Sequence, residues 1–217
     1  IWSTIGSLFV PIYVILSRMM EFIVVAWRYY YSISFFRVDL LYRWHYFILS
    51  PYFYSYRFIK AEKKSKNYAY FATPLTVLAE MVRRFEIGPR DRIYELGCGS
   101  GRGTFFFHYL LAARVVGIDA VPIFINKAKR IGRRLRCDGV EFIQGDIREV
   151  NYADADVLYI YGSCFHRDLF VDLIRLMQQQ LATGTKVITV SWPLSTYGDA
   201  RGFELVDEFE ANFLYAN

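Results

Sequence analysis

The stretch Glu95-Leu96-Gly97-Cys98-Gly99-Ser100-Gly101 decides how this chain is read. It closes a short apolar run, Arg92 to Leu96, that predicts a strand, and it opens Gly101 to Leu111, which predicts a helix. Glycines let a backbone turn tightly and lie against a ligand, and the helix behind them offers free N–H groups. A dinucleotide fingerprint has the spacing G-x-G-x-x-G, but the third glycine's place is taken here by Arg102. The spacing is G-x-G-x-G, with an acid two residues before the first glycine. A carboxylate there suits the cationic end of a ligand better than a pyrophosphate.

Working outward, strand and helix patterns alternate. Thr73 reads as an N-cap with Pro74 at the first helical position, and Gly88 is expected to stop that helix. Val115 to Asp119 predicts a second strand, Pro122 to Arg136 a helix, and Val140 to Ile143 a third strand. Asp156 to Tyr161 predicts a fourth strand, apolar on both faces, and Arg167 to Leu181 the next helix. Lys186 to Ser191 predicts a fifth strand and Phe203 to Phe209 a sixth. Alternation of this kind predicts an α/β fold with a doubly wound, Rossmann-like sheet. Asp119 and Asp146 each end a strand, as Glu95 nearly does, so three acids gather where open parallel sheets bind ligands.

With the glycine loop and both later acids in place, residues 70 to 210 resemble the class I S-adenosylmethionine-dependent methyltransferases. The resemblance implies S-adenosyl-L-methionine as cofactor. It implies that Glu95 and the loop Gly97, Cys98, Gly99 and Gly101 hold the methionine end, and that Asp119, with Ala120 beside it, binds the ribose. It implies that Asp146 meets the adenine amino group with Ile147 against the ring. The substrate-facing segment is expected after the fourth strand, with Tyr161, Gly162 and Ser163 at the catalytic position. No Asp/Asn-Pro-Pro-Tyr/Phe motif stands there, which argues against a DNA or adenine N6 methyltransferase. Nor do paired acids, which argues against an aminopropyltransferase. Tyr70, in the aromatic stretch Tyr68 to Pro74, is expected to fold over the cofactor. A non-catalytic scaffold that merely kept the fold would show a damaged loop, and this loop is intact.

The N-terminal third differs from the rest. The 217 residues carry a formal charge of +5. Residues 1–66 hold nine Lys or Arg against three acids, or +6, and residues 67–217 hold seventeen against eighteen, or −1. Nineteen of the 41 aromatic residues also lie in residues 1–66, so the chain divides into an aromatic, basic helical segment (1–66) and a methyltransferase domain (67–217). Ile1 to Ser17 is uncharged and predicts a hydrophobic helical anchor; as a helix, ~17 residues rise about 25 Å, close to a bilayer core. Arg18, Glu21, Arg28, Ser32, Asp39 and Arg43 fall within an arc of roughly 80° at helical periodicity. That predicts one long helix with a narrow charged stripe and a wide aromatic face, ended or kinked at Pro51. A basic cluster follows, Arg57, Lys60, Lys63, Lys64 and Lys66. Together these point to a membrane lipid surface as partner, with the domain on the cytoplasmic side, and argue against nucleic acid. The layout is similar to that of membrane-anchored protein lysine methyltransferases. It implies a methyl acceptor that is a lysine of a membrane protein or, alternatively, a lipid or quinone headgroup. Ile1 is not a methionine and only Glu210 to Asn217 follows the sixth strand, so the chain is expected to be cut, with its final strand missing or incomplete. Cys98, Cys137 and Cys164 form an odd set with no C-x-x-C pair, which argues against a disulfide scaffold or a zinc site.

Overall fold

Strand register puts every face of the central sheet against apolar side chains. The computed structural model describes residue 16 and residues 19–62 and 66–210. Five parallel strands, β1 (Arg92–Leu96), β2 (Arg114–Asp119), β3 (Val140–Gln144), β4 (Val157–Tyr161) and β5 (Lys186–Val190), lie in the order β3-β2-β1-β4-β5. Ile93, Val115, Val157, Tyr159 and Ile188 point to one core. Their neighbours Tyr94, Leu96, Val116, Ile118, Leu158 and Ile160 point to the other. Both faces are dry, so the strands read as continuous apolar runs. The strand order reverses at β1, which opens a crevice at the carboxyl ends of β1 and β4.

The helices that cover the sheet are α4 (Leu75–Arg84), α5 (Arg102–Leu111), α6 (Pro122–Leu135) and α7 (Arg167–Gln180). Leu75, Leu78 and Met81 of α4 and Phe106 and Phe107 of α5 enter the first core. Phe170, Leu173, Ile174 and Met177 of α7 enter the second. Thr73 does not cap α4: Pro74 is the N-cap, and the Thr73 hydroxyl bonds the buried Tyr159 hydroxyl instead. The helix also stops before Gly88, at Arg84, with Glu86 in the left-handed region.

Three helices precede the domain: residues 19–29 (α1), Ile33–His45 (α2) and Pro51–Ala61 (α3). The expected single long helix is therefore divided. The break falls at residues 30–32, where the Ser32 hydroxyl accepts the Phe35 N–H and starts a new helix. Pro51 opens a helix rather than ending one. It occupies the first turn of α3, where no N–H is needed, behind the capping Ser50.

The charged stripe is divided: Asp39 and Glu21 turn inward while Arg28 stays exposed. Asp39 is buried and Glu21 is partly covered, both facing α5, while Trp27, Tyr31, Trp44, Phe47 and Ile48 stand more than three-quarters exposed. Among the described residues no helix is long and apolar enough to cross a membrane. The span expected over residues 1–17 lies, apart from residue 16, outside the described residues, as do Lys63 and Lys64.

The sixth strand does not form. Residues 203–210 run without regular structure, with Leu205 and Val206 exposed. A short helix α8 (Leu194–Tyr197) takes the place after β5. The segment is held instead by the ion pair of Arg84 with Asp207 and by Phe209 on Phe85. The stub expected at residues 213–216 lies outside the described residues.

Candidate active site

The glycine loop leaves β1 with Gly97, Gly99 and Gly101 all at positive φ (+76°, +52° and +77°). Only a residue without a Cβ takes three such turns so close together without strain. Close approach adds a second reason. A Cβ on Gly99 would stand 2.6 Å from the Tyr70 ring, and one on Gly101 would stand 2.7 Å from Phe142. The loop lies between the first strand and Tyr70, whose hydroxyl bonds Ser100 Oγ at 2.9 Å.

A cavity of about 280 Å³ opens beside this loop. Gly97, Gly99, Asp119, Ala120, Asp146, Ile147, Tyr70 and Tyr161 line it, so eight of the predicted site residues come together there. Asp119 is 9% exposed. Its Oδ2 accepts the Gly99 N–H and its Oδ1 the Val121 N–H, each at 2.8 Å. Burial raises its carboxyl to about 6 against the pull of those two N–H groups. A carboxylate has about four acceptor positions, so a carboxylate facing the cavity with two of them used can still accept from a ligand.

The other predicted residues fall outside the lining. Glu95 turns beneath the loop, where its Oε2 accepts the Thr104 hydroxyl at 2.5 Å and its Oε1 fills the space over Gly103. Burial is the main cause that lifts its carboxyl to about 8, helped by the charge of Asp119. Cys98 packs its sulfur against Gly117, with burial pushing the thiol up. Gly101 packs on α6 and β3. Gly162 is pressed against the Phe170 ring, which leaves no room for a Cβ. Ser163 is exposed.

Several lining residues carry no signal in the sequence motif. Phe165 lays its ring on Gly97, with its Cζ 3.2 Å from where a Cβ would stand. Phe71 stacks on Tyr161, centroids 6.2 Å apart and rings 22° from parallel. The strand of chain before α4 is clasped to the loop after β4: the His166 N–H donates to Asn67 Oδ1 at 2.7 Å, and the Cys164 thiol donates to the Ala69 carbonyl at 3.5 Å. Asp146 accepts Arg148 Nη2 at 2.6 Å while still facing the cavity. Apart from the local Asp146–Arg148 pair, these contacts cross from one element to another, and local sequence does not reveal them.

Comparison with known proteins agrees with this geometry. The methyltransferase domain family matches residues 93–184, from β1 to just before β5. An RNA methyltransferase from Salinibacter ruber, solved with S-adenosyl-L-homocysteine, superposes with a TM-score of 0.50 at 30% identity, over 54% of this chain and 76% of that one. Phosphoethanolamine N-methyltransferase 1 of Arabidopsis thaliana is 30% identical over 144 residues, 61% of this chain and 29% of that protein. Trans-aconitate 2-methyltransferase of Escherichia coli O157:H7 is 31% identical over 107 residues, 46% of this chain and 40% of that protein. The chain thus spans less than half the length of these curated relatives. A parallel sheet with a glycine loop and a buried acid at its switch point defines a Rossmann-like nucleoside-binding fold. The chain belongs to the class I S-adenosylmethionine-dependent methyltransferases, with S-adenosyl-L-methionine as cofactor and a methyl acceptor as second substrate.

Proposed function

We propose that the cavity between the glycine loop, Asp119 and the loop after β4 is the methyl-transfer site, and that the acceptor is an amine carried at a membrane surface. The observation that carries the first part is Asp119: a buried carboxyl, fixed by two backbone N–H groups, with acceptor capacity left on the cavity side. Ribose hydroxyls supply the donors it lacks. Gly97 and Gly99 let the methionine end lie along the backbone, and buried Ile147 gives an apolar wall for adenine beside Asp146. Ala120 lines the ribose side, and Tyr70 closes the loop from outside. Glu95 supports the loop from beneath through Thr104.

The cofactor supplies a methyl group activated by a sulfonium. The chain's own residues need only align the acceptor and exclude water. Tyr161, Phe71 and Phe165 form the aromatic wall suited to that task, with Gly162 and Ser163 shaping the turn behind it. Asp168 and Asp172 of α7 also line the cavity, which favours a positively charged acceptor on approach. The plant relative, by its name, methylates the nitrogen of phosphoethanolamine, and that supports an amine here too.

A membrane surface is favoured by the outward aromatic face of α1 and α2. It carries exposed Trp27 and Trp44, with Phe47 and Ile48 exposed in the turn after α2, together with exposed Arg28 and Arg37. Aromatic rings beside arginines suit the headgroup layer of a bilayer. On this reading residues 1–66 form the membrane-associated segment and residues 67–217 the catalytic domain, which works on the cytoplasmic side. The acceptor is a lysine of a membrane protein, and a lipid or quinone headgroup is the alternative. Membranes incubated with methyl-labelled cofactor and the protein test this. Label in protein, recovered as methyl-lysine after acid hydrolysis, supports the lysine. Label in the lipid extract alone contradicts it, and label in neither contradicts the membrane acceptor.

A further inference from the structure

The family match begins at residue 93, yet the outer side of the cofactor loop is held by residues that precede it. Arg102 opens α5 directly after Gly101, in the place where a dinucleotide fingerprint has its last glycine. Its Nε donates to Asp39 Oδ1 at 2.7 Å and its Nη2 to Asp39 Oδ2 at 3.3 Å. Glu21 stands 3.6 Å from its Nη1, and the guanidinium lies 5.5 Å from the centre of the Tyr42 ring. The Asp39 side chain is 0% exposed. It also accepts the Tyr30 hydroxyl at 2.6 Å and Arg43 Nε at 2.9 Å. Two residues before Arg102, Ser100 donates to the Tyr42 hydroxyl at 3.3 Å.

Two acids and two guanidiniums thus meet around the covered Asp39, with Arg43 at the open edge, and each charge is matched. Burial alone would raise the Asp39 carboxyl, but Arg102 and then Arg43 overcome it and hold the group at about 2. A buried ion pair adds little stability over an apolar pair of the same shape. What a two-point guanidinium–carboxylate contact does supply is a fixed direction. Here that direction belongs to the first residue of α5, whose backbone continues the loop. A shift of Arg102 moves the N–H groups of the helix start, and it moves Gly99 and Ser100 under Tyr70.

We propose that Asp39 is a positioning residue of the cofactor site: through Arg102 it holds the loop in its binding shape and so sets cofactor affinity without touching the cofactor. This rests on the glycine loop being the cofactor cradle. The helices before the domain are then part of the enzyme's binding apparatus and not only an attachment.

The test is titration of the full chain and its variants with S-adenosyl-L-homocysteine by calorimetry, with amide hydrogen exchange read at the loop. If the unaltered chain does not bind, the cradle reading itself fails. If it binds, Asp39→Asn should weaken binding by about tenfold or more, the range seen for coupled neighbours in one network. Exchange should quicken at residues 99–103 and stay slow in β4 and β5. Unchanged affinity in folded Asp39→Asn would overturn the proposal. So would weaker binding with faster exchange throughout the sheet, which is the mark of a merely structural role. Should Asp39→Asn fail to fold, Asp39→Leu combined with Arg102→Leu replaces the pair with apolar groups. That variant should fold and still bind weakly, and wild-type affinity in it would overturn the proposal.

Discussion

Asp119 is a carboxyl held where water scarcely reaches, and its charge is tolerated only because two backbone N–H groups point at it. The fold raises it from 3.8 to about 6, so ionisation is disfavoured in the folded chain. The sign follows: the penalty is absent below pH 3.8, grows between those values and is complete above about 6. Ribose hydroxyls bind the charged form, so cofactor affinity should fall as the pH drops through 6. Between pH 7.5 and pH 5 the dissociation constant of S-adenosyl-L-homocysteine should rise about tenfold, as measured by calorimetry. A flat profile would remove Asp119 from the ribose. Gly99→Ala should also weaken binding, since alanine at φ +52° is strained and its Cβ would meet the Tyr70 ring at 2.6 Å. The expected cost to folding is about 1–3 kcal/mol, read by denaturant titration. Spacing made Asp119 legible in the sequence, because strand length and loop length fix where the second strand ends. The direction of Glu95 was not legible. Whether that side chain enters the cavity or turns under the loop depends on three left-handed turns and on Thr104, nine residues away.

Elements were legible in proportion to how local their causes are. Proline at the start of α6 and glycine at the start of α5 mark both helices in the sequence, and the structure keeps them within a residue. The break at residues 30–32 was missed because the periodic stripe runs straight through it. Ser32 caps a new helix there, a break that the spacing of charged residues does not register. Which side of that stripe is buried could not be read either. Its counter-charge, Arg102, lies 63 residues beyond Asp39. Residues 203–209 alternate loosely, but among the described residues no strand pairs them, and a lone segment cannot satisfy a strand's backbone. The clasp between the segment before α4 and the loop after β4 gives the prediction for this scale. Asn67→Ala removes the acceptor of the His166 N–H. Amide exchange at residues 68–71 should quicken, while global stability falls by no more than about 1 kcal/mol. Unaltered exchange there would mean that the clasp does not hold the segment.

Across the whole molecule, the net charge of +5 divides into a basic, aromatic front and a near-neutral enzyme. The structure adds that the front is stitched to the enzyme by Asp39 and Glu21 on Arg102 and by Tyr29 and Phe35 on Phe106, while Trp27, Trp44 and Phe47 stand exposed. Replacing Trp27, Trp44 and Phe47 together with Ala should reduce sedimentation with anionic vesicles at least about tenfold, from the apolar area lost. It should leave cofactor binding unchanged, because none of the three lines the cavity. Equal sedimentation would contradict the membrane-facing role. The central claim is nearer the chemistry, and one titration addresses it: S-adenosyl-L-homocysteine against the chain and against Asp119→Ala, at pH 7.5. The account predicts one site in the unaltered chain. It predicts at least about 100-fold weaker binding in the variant, from two lost charge-assisted hydrogen bonds, with its melting transition retained. Equal affinity in the two, or no binding by the unaltered chain, would contradict it.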